Sequence, residues 1–143
     1  MQETPKVPQT GCSMNVMDAI RARHSVRDFS PQIIDKAVIH ALLDAAVLAP
    51  TAVHEEPCAF AIIQDKKLLN RLSNSAKDLL ARGTDPIHPH GGKFAYDRFT
   101  HKEFNAFYNA NTLVVICGKP MGPFVAADCW LAAENMLLFA HCQ

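Results

Sequence analysis

The sequence predicts an α+β fold in which helices pack on a small mixed sheet. Two observations lead to the α+β class. Several stretches repeat apolar residues every three or four positions, which is typical of helices with a buried face. Two short apolar runs lie between these stretches, and runs of that length are typical of buried strands. The predicted order of the longer elements is helix, helix, strand, helix, strand and helix.

Two helices are predicted in the first third of the chain. Asn15 is a suitable N-cap with Asp18 three residues later, so a short helix should run through about Arg23. A second helix begins near Asp35 and ends before Pro50, because the residue before a proline avoids the helical region. Its apolar stripe comprises Val38, Ile39, Leu42, Leu43 and Ala46.

The middle of the chain combines a strand, a long helix and a loop. The run Ala59–Gln64 follows Pro57 and is predicted to be a buried strand. Helical spacing returns over Lys66–Arg82, with Gly83 at the position after its end. Several prolines and glycines make Thr84–His101 a predicted loop, and a short helix is predicted near Lys102–Tyr108.

The final segment is more apolar than its surroundings. After a second predicted strand, Leu113–Cys117, a helix from Phe124 onwards carries apolar residues on most of its faces, so we expect it to be buried on most sides. It reaches Gln143 without a glycine or proline stop signal, and two strands alone make a poor sheet. We therefore expect a domain over 14–143 that is incomplete at its C-terminus, or an obligate oligomer.

Composition excludes several classes of protein. The chain has 143 residues, a one-domain length, and its 14 basic and 14 acidic residues give no net charge. Because basic residues are not in excess, the charge does not favour nucleic acid or an anionic membrane as a partner. No uncharged apolar run is long enough to span a bilayer. Residues 1–13 are polar and carry Pro5 and Pro8, so we interpret them as a flexible leader and not as a secretory signal.

The cysteines indicate a reducing compartment. Their number is odd, no C-x-x-C pair occurs, and Cys117, Cys129 and Cys142 lie in apolar segments. Buried free thiols in the cytoplasm fit this pattern better than a disulfide framework. Cys58 has no Lys or Arg beside it in sequence, so we expect an inert thiol there.

One basic segment carries a candidate binding function. Arg21–Phe29 reads R-A-R-H-S-V-R-D-F and follows the first predicted helix. Guanidinium groups bind phosphate through charge-assisted hydrogen bonds, and a serine hydroxyl adds a donor. The alternative is a solvated basic helix end that the helix dipole favours, and on charge alone that alternative is preferable.

The order of the segments along the chain favours phosphate binding over the solvated helix end. After the basic segment, a helix ends A-A-V-L-A-P-T at Thr51, and Glu56-Pro57 then precedes a strand. This ordered set resembles the nitroreductase family of flavoproteins, which has R-[RH]-S-x-R-x-F, a helix, and A-P-S-[ASG]-x-N-x-Q-P-W before a strand. The run N-T-L-V-V-I from Asn111 and the E-N-M of the last helix resemble the family's second strand and central helix, so the resemblance covers roughly 14–143.

The resemblance implies FMN bound at the interface of a homodimer. One group of residues occupies positions that hold the FMN phosphate, ribityl chain and ring edge: Arg23, His24, Ser25 and Arg27. A second group falls on the segment that lies over the flavin of the other subunit: Pro50, Thr51, Ala52 and His54.

The implied activity is NAD(P)H-dependent reduction of nitroaromatic or quinone-type acceptors through FMN. No catalytic side chain is assigned, because the flavin carries the chemistry. The chain departs from the family at His54 and Glu56, where Asn and Gln are usual, and at Cys58, where Trp is usual. The family's G-L-G and later FMN ligands would follow Gln143. The alternative is therefore a catalytically inactive, truncated protein that at most binds FMN, and we expect little activity from this chain alone.

Histidines offer a further alternative, a metal-binding module. His88 and His90 lie in the predicted loop, and His54 and His101 have acidic neighbours. No pair has the i, i+4 spacing of a helical metal site, so we interpret them as surface histidines and predict no metal.

Overall fold

The computed structural model describes residues 14–52, 56–81, 101, 103–120 and 122–143. Four helices and two strands lie in these residues, in the predicted order. They are α1 (Val16–Ala22), α2 (Lys36–Val47), β1 (Cys58–Ile63), α3 (Lys66–Ala81), β2 (Leu113–Gly118) and α4 (Val125–Cys142).

The first helix begins where its capping residue predicts. The Asn15 side chain accepts a hydrogen bond from the Asp18 backbone N–H at 3.0 Å, which satisfies a donor that the helix leaves free. At the other end Arg23 is extended, with ψ 129°, and the helix ends there. After α2, Ala49 N–H donates to the Ala46 carbonyl at 3.1 Å, so the chain turns before Pro50.

The two strands pair in one sheet and run antiparallel. Lys119 N–H donates to the Pro57 carbonyl at 2.8 Å, and the Gln64 side chain donates to Thr112 Oγ1 at 3.0 Å. The start of β1 therefore lies beside the end of β2, and the end of β1 lies beside the start of β2, as in an antiparallel pair. The α+β class is confirmed, while the strands in the described part of the chain form an antiparallel pair and not a mixed sheet.

The chain divides into two compact units, and the division runs across both strands. The first unit contains α1, α2, α4, the start of β1 and the end of β2. In this unit α2 packs along α4, and α1 contacts α4. The buried apolar residues of the unit are mostly small, which lets helices approach closely. They are Ala19, Ile39, Ala46, Ala132 and Met136.

The second unit contains residues 26–35, α3 and the remaining parts of both strands. Leu69 and Ser73 are buried on one face of α3. The Ser73 hydroxyl accepts a hydrogen bond from the Ala106 N–H at 2.9 Å, so a polar group in the core is satisfied. The Asn111 side chain donates to the Pro31 carbonyl at 2.6 Å. This bond links residues 26–35, which precede α2, to the rest of the second unit.

The predicted short helix near Lys102–Tyr108 is wrong for the residues described there. Tyr108 N–H donates to the Asn105 carbonyl at 2.9 Å, and Ala110 N–H donates to the Phe107 carbonyl at 3.0 Å, so the segment is a succession of turns. The Asn105 side chain also accepts from Phe107 N–H at 2.8 Å, in competition with helical pairing. Positive φ angles at Tyr108 and Asn109 end any helix. Gly83 and residues 84–100 of the predicted loop lie outside the described residues.

Several burial predictions are wrong. Both strands, expected to be buried, contain only half-buried and exposed residues. Only one stripe of α4 is buried, formed by Asp128, Ala132 and Met136, whereas Trp130 is 76% exposed. The reason is that the described part of this chain covers one side of α4 only. Cys117, expected to be buried, is exposed, because it lies two residues after the exposed Val115 on the same face of β2. Among the described helices, none has the length and apolarity of a membrane span.

Candidate functional site

Three predicted site residues follow α1 directly. Arg23 is the C-cap of α1, with its N–H bonded to the Ala19 carbonyl at 2.9 Å, and the extended chain beyond it exposes His24 and Ser25. Arg23 itself is half-buried. This part of the chain therefore presents a guanidinium, an imidazole and a hydroxyl at one place, a donor set that suits a phosphate group.

Two of these residues, Arg23 and His24, contact one face of α4. Arg23 Nε lies 3.9 Å from Glu134 Oε1, and the His24 ring meets the His141 ring edge-on with centroids 6.1 Å apart. Glu134 and His141 are seven positions apart, so they share a face of the helix. The ion pair is long and solvent-accessible, and pairs of that kind contribute about 0–1 kcal/mol. A bound anion can therefore compete with Glu134 for the guanidinium.

The fourth residue of the basic group, Arg27, belongs to the second unit. Its side chain is exposed, and its guanidinium carbon lies 6.0 Å from the centroid of the Tyr108 ring. That distance is the outer limit of a cation–π interaction, so the ring orients Arg27 weakly. Arg27 is the most accessible cation of the predicted phosphate group of residues.

The second predicted segment follows α2. Pro50 and Ala52 are exposed, and Thr51 is half-buried. Ala52 N–H donates to Asp128 Oδ1 of α4 at 3.2 Å. The last member of this predicted group, His54, lies outside the described residues.

The two segments of the first unit attach to different sides of α4. Asp128, which holds Ala52, and Glu134, which contacts Arg23, are six positions apart on the helix. Six residues correspond to about 9 Å along the axis and about 120° around it. One chain thus presents its basic segment and its Pro50–Ala52 segment on separate sides of the same helix.

The sequence analysis missed Asp128. Its side chain is only 4% exposed, although it is an acid in an apolar helix. A signal was present, since Asp128 falls four and eight positions before Ala132 and Met136 and so shares their buried stripe. A single acid on the apolar face of a helix requires a hydrogen-bonding partner, and here that partner is the Ala52 backbone.

Glu56 and Cys58, the described residues that depart from the family pattern, lie near the start of α4. Cys58 Sγ is 3.6 Å from Cys129 Sγ, and burial raises the pKa of the Cys58 thiol from its ordinary value of 9.0 to about 11, helped by the hydrogen bond and the electrostatic interaction with Cys129. The thiol is therefore protonated at neutral pH, which supports the expectation of an inert cysteine. The Glu56 side chain is exposed, its φ is 44°, and its carbonyl accepts from Lys119 Nζ at 3.4 Å.

No group of three or more potential metal ligands of the His, Cys, Asp and Glu types forms among the residues that the structure describes. The loop histidines His88 and His90 lie outside them.

Known proteins share this arrangement of elements. A nitroreductase from Bacteroides fragilis with bound FMN superposes with a TM-score of 0.76 and 29% identity, over 90% of this chain and 65% of that one. Two proteins named "Putative NADH dehydrogenase/NAD(P)H nitroreductase" are similar in sequence. The one from Methanothermobacter thermautotrophicus is 25% identical over 90% of this chain and 56% of its own length. The one from Archaeoglobus fulgidus is 28% identical over 86% and 59%.

These comparisons define an α+β protein of the nitroreductase fold. The model of the nitroreductase family matches residues 20–143, and the chain belongs to that family. It spans between half and two thirds of the length of these relatives.

Proposed function

We propose that the chain is an FMN-dependent oxidoreductase that uses NAD(P)H to reduce nitroaromatic or quinone-type acceptors. The observation that carries the proposal is the donor set of Arg23, His24 and Ser25 at the exposed end of α1. The similar Bacteroides fragilis protein, which contains FMN, supports FMN as the phosphate-bearing ligand. A reducing cytoplasm is the proposed location, since the number of cysteines is odd and no C-x-x-C pair occurs.

The proposed roles of the chain's residues are binding and orientation. Arg23 and Arg27 would hold the phosphate and ring edge of FMN, and His24 and Ser25 would complete the group of residues that surrounds the phosphate, ribityl chain and ring edge. FMN held there would supply the electron-transfer chemistry between NAD(P)H and the acceptor. We assign no side chain as a general acid or base.

A homodimer is part of the proposal. Trp130 and Leu137 are large apolar residues on α4 that are 76% and 51% exposed, and apolar surface of this kind is typical of an interface. The separation of the two predicted segments around α4 also supports a dimer. In a two-chain site the basic segment of one protomer can face residues 50–52 and His54 of its partner.

A second candidate is a protein of the same family that binds FMN without turnover. The observation that favours it is the pair Glu56 and Cys58, at positions where the resemblance expects Gln and Trp. An ionised Glu accepts hydrogen bonds but cannot donate one to a flavin.

FMN titration of the purified chain tests the binding site. Arg23→Ala and Arg27→Ala should each weaken FMN binding about ten- to a hundredfold, because each removes a charge-assisted hydrogen bond. Arg21→Ala is the matched control, since Arg21 is an exposed arginine of α1 outside the proposed site. Unchanged affinity in both test variants would remove the assignment.

Turnover separates the two candidates. NAD(P)H oxidation is followed at saturating FMN with a nitroaromatic or a quinone as acceptor. Acceptor-dependent oxidation supports the oxidoreductase and contradicts the expectation of little activity from this chain alone, whereas FMN binding without oxidation supports the second candidate.

A further inference from the structure

The carboxylate of Asp128 is the most deeply buried charged group described in the first unit. It lies in the first turn of α4, where the helix dipole favours a negative charge, and it is 4% exposed. A carboxylate is buried at this level only when hydrogen bonds replace its water. Its Oδ1 accepts from Ala52 N–H at 3.2 Å, across 76 positions of sequence.

A second side chain on the same face of α4 makes a parallel contact. Asn135, seven positions after Asp128, donates from Nδ2 to the Ala45 carbonyl in the last turn of α2 at 3.1 Å. The buried Ala132 between them is small and allows α2 to lie close to α4. Asp128 and Asn135 together thus hold the end of α2 and the segment that leaves it.

The first turn of α4 is itself held in place by the end of β2. A Cβ atom on Gly118 would lie 2.4 Å from Val125 Cγ1 and 3.3 Å from Cys129 Sγ. Only glycine permits this close approach of strand and helix. Asp128 therefore projects from a helix turn that is packed tightly, and it offers a rigid acceptor to the Ala52 amide.

We propose that Asp128 is a positioning residue that holds the segment Pro50–Ala52 in its ligand-binding conformation through the Ala52 amide. The inference rests on the proposed function for the identity of the ligand, FMN. Pro50 and Ala52 are exposed, so packing restrains this segment little and a single hydrogen bond has a large effect on it. Asp128 touches no ligand in this role and acts through the backbone.

The charge of Asp128 has an independent reporter. Burial and then Cys129 are the main causes of the raised pKa of Cys58, and the negative charge of Asp128 raises it further. A neutral residue at position 128 should therefore lower the Cys58 pKa, whatever happens to FMN.

The test compares Asp128→Ala with Asp128→Asn, and Asp44→Asn is the control because Asp44 is an exposed acid of α2. Amide hydrogen exchange at Ala52, measured without FMN, should accelerate about tenfold or more in Asp128→Ala. Asp128→Asn keeps an acceptor of the same shape, so its acceleration should be only a fewfold, since neutral acceptors bond less strongly than carboxylates. FMN affinity should fall in the same order, with partial rescue in Asp128→Asn.

Unchanged Ala52 exchange in both variants overturns the proposal, and so does accelerated exchange with unchanged FMN affinity. If the wild-type chain binds no FMN, the proposed function fails, while exchange at Ala52 still decides whether Asp128 holds the segment. If Asp128→Ala does not fold, the Asp128→Asn variant decides. Faster Ala52 exchange together with a lower Cys58 pKa in that variant supports the proposal. Unchanged Ala52 exchange overturns it.

Discussion

The helices α3 and α4 are the two longest described, and their inner faces are built alike. Each buries a polar side chain among apolar ones and satisfies it with the backbone N–H of a distant segment. In α3, Ser73 accepts from Ala106, and in α4, Asp128 accepts from Ala52. Both polar groups are almost fully buried, at 1% and 4% exposure.

Their outer faces differ. The exposed residues of α3 are mostly polar, among them Lys67, Asn70 and Asn74, whereas α4 exposes Trp130 and Leu137. A polar outer face needs only water, while an apolar outer face is stabilised by another surface. The comparison teaches that α3 exposes a mostly polar surface, whereas α4 leaves apolar residues exposed on the side that the described part of this chain does not cover.

The largest expected effect follows from this difference. Leu137→Glu places a charge in the proposed interface and should convert a dimer into a monomer in sedimentation velocity. Leu79→Glu is the matched control, because Leu79 of α3 is 61% exposed and the substitution is chemically identical. Equal sedimentation of both variants and the wild type would contradict an interface on α4.

A smaller effect is expected on the inner faces. Met136→Ala on α4 and Leu69→Ala on α3 remove buried side chains, and each should lower the free energy of unfolding by about 2–5 kcal/mol. Leu79→Ala should change it by less than about 0.5 kcal/mol, because its side chain is exposed. Chemical denaturation measures all three. A cost for Met136→Ala as small as that for Leu79→Ala would show that this face of α4 is not core.

The buried hydroxyl of α3 should contribute less. Ser73→Ala leaves the Ala106 amide without its acceptor and should cost about 1–3 kcal/mol of unfolding free energy. Ser75→Ala, two positions away on the exposed side of α3, should have almost no effect. Equal costs for the two serines would mean that the bond to Ala106 does not stabilise the fold.

A further expected effect concerns Cys58, which contacts Cys129 of α4. With its pKa raised from 9.0 to about 11, the folded state binds the thiol proton more tightly than the unfolded state. The resulting stabilisation is present below pH 9 and is lost as the pH rises from 9 towards 11. At pH 8 the thiolate fraction is about a hundredfold smaller than in the unfolded chain, so iodoacetamide should label Cys58 correspondingly slowly. Mass spectrometry of the Cys58 peptide with and without urea measures the ratio, and equal rates would refute the raised pKa.

Much of the fold follows from local signals. The Asn15 cap, the stop before Pro50 and the apolar runs of both strands predicted element order and approximate bounds, because capping, proline geometry and side-chain periodicity act within a few residues. Where local signals competed, the prediction was wrong. At Asn105 the side chain bonds the backbone, and the following residues turn instead of forming a helix.

The candidate site was likewise predictable in part from local signals in the sequence. Its chemical composition, an Arg-His-Ser-x-Arg cluster and a Pro-Thr-Ala segment, is visible in the sequence together with the family resemblance. The pairing of Ala52 with Asp128 is not visible in the sequence, because the two residues are 76 positions apart and no local signal selects one acid over another.

The sequence by itself thus determined the family, the order of elements and the residues available to bind a phosphate. The tertiary structure decided which face of α4 is buried, that Cys117 is exposed, and that Arg23 and Ala52 attach to different sides of one helix. The physical reason is that periodicity shows which residues are apolar, whereas burial depends on which distant segments are there to cover them.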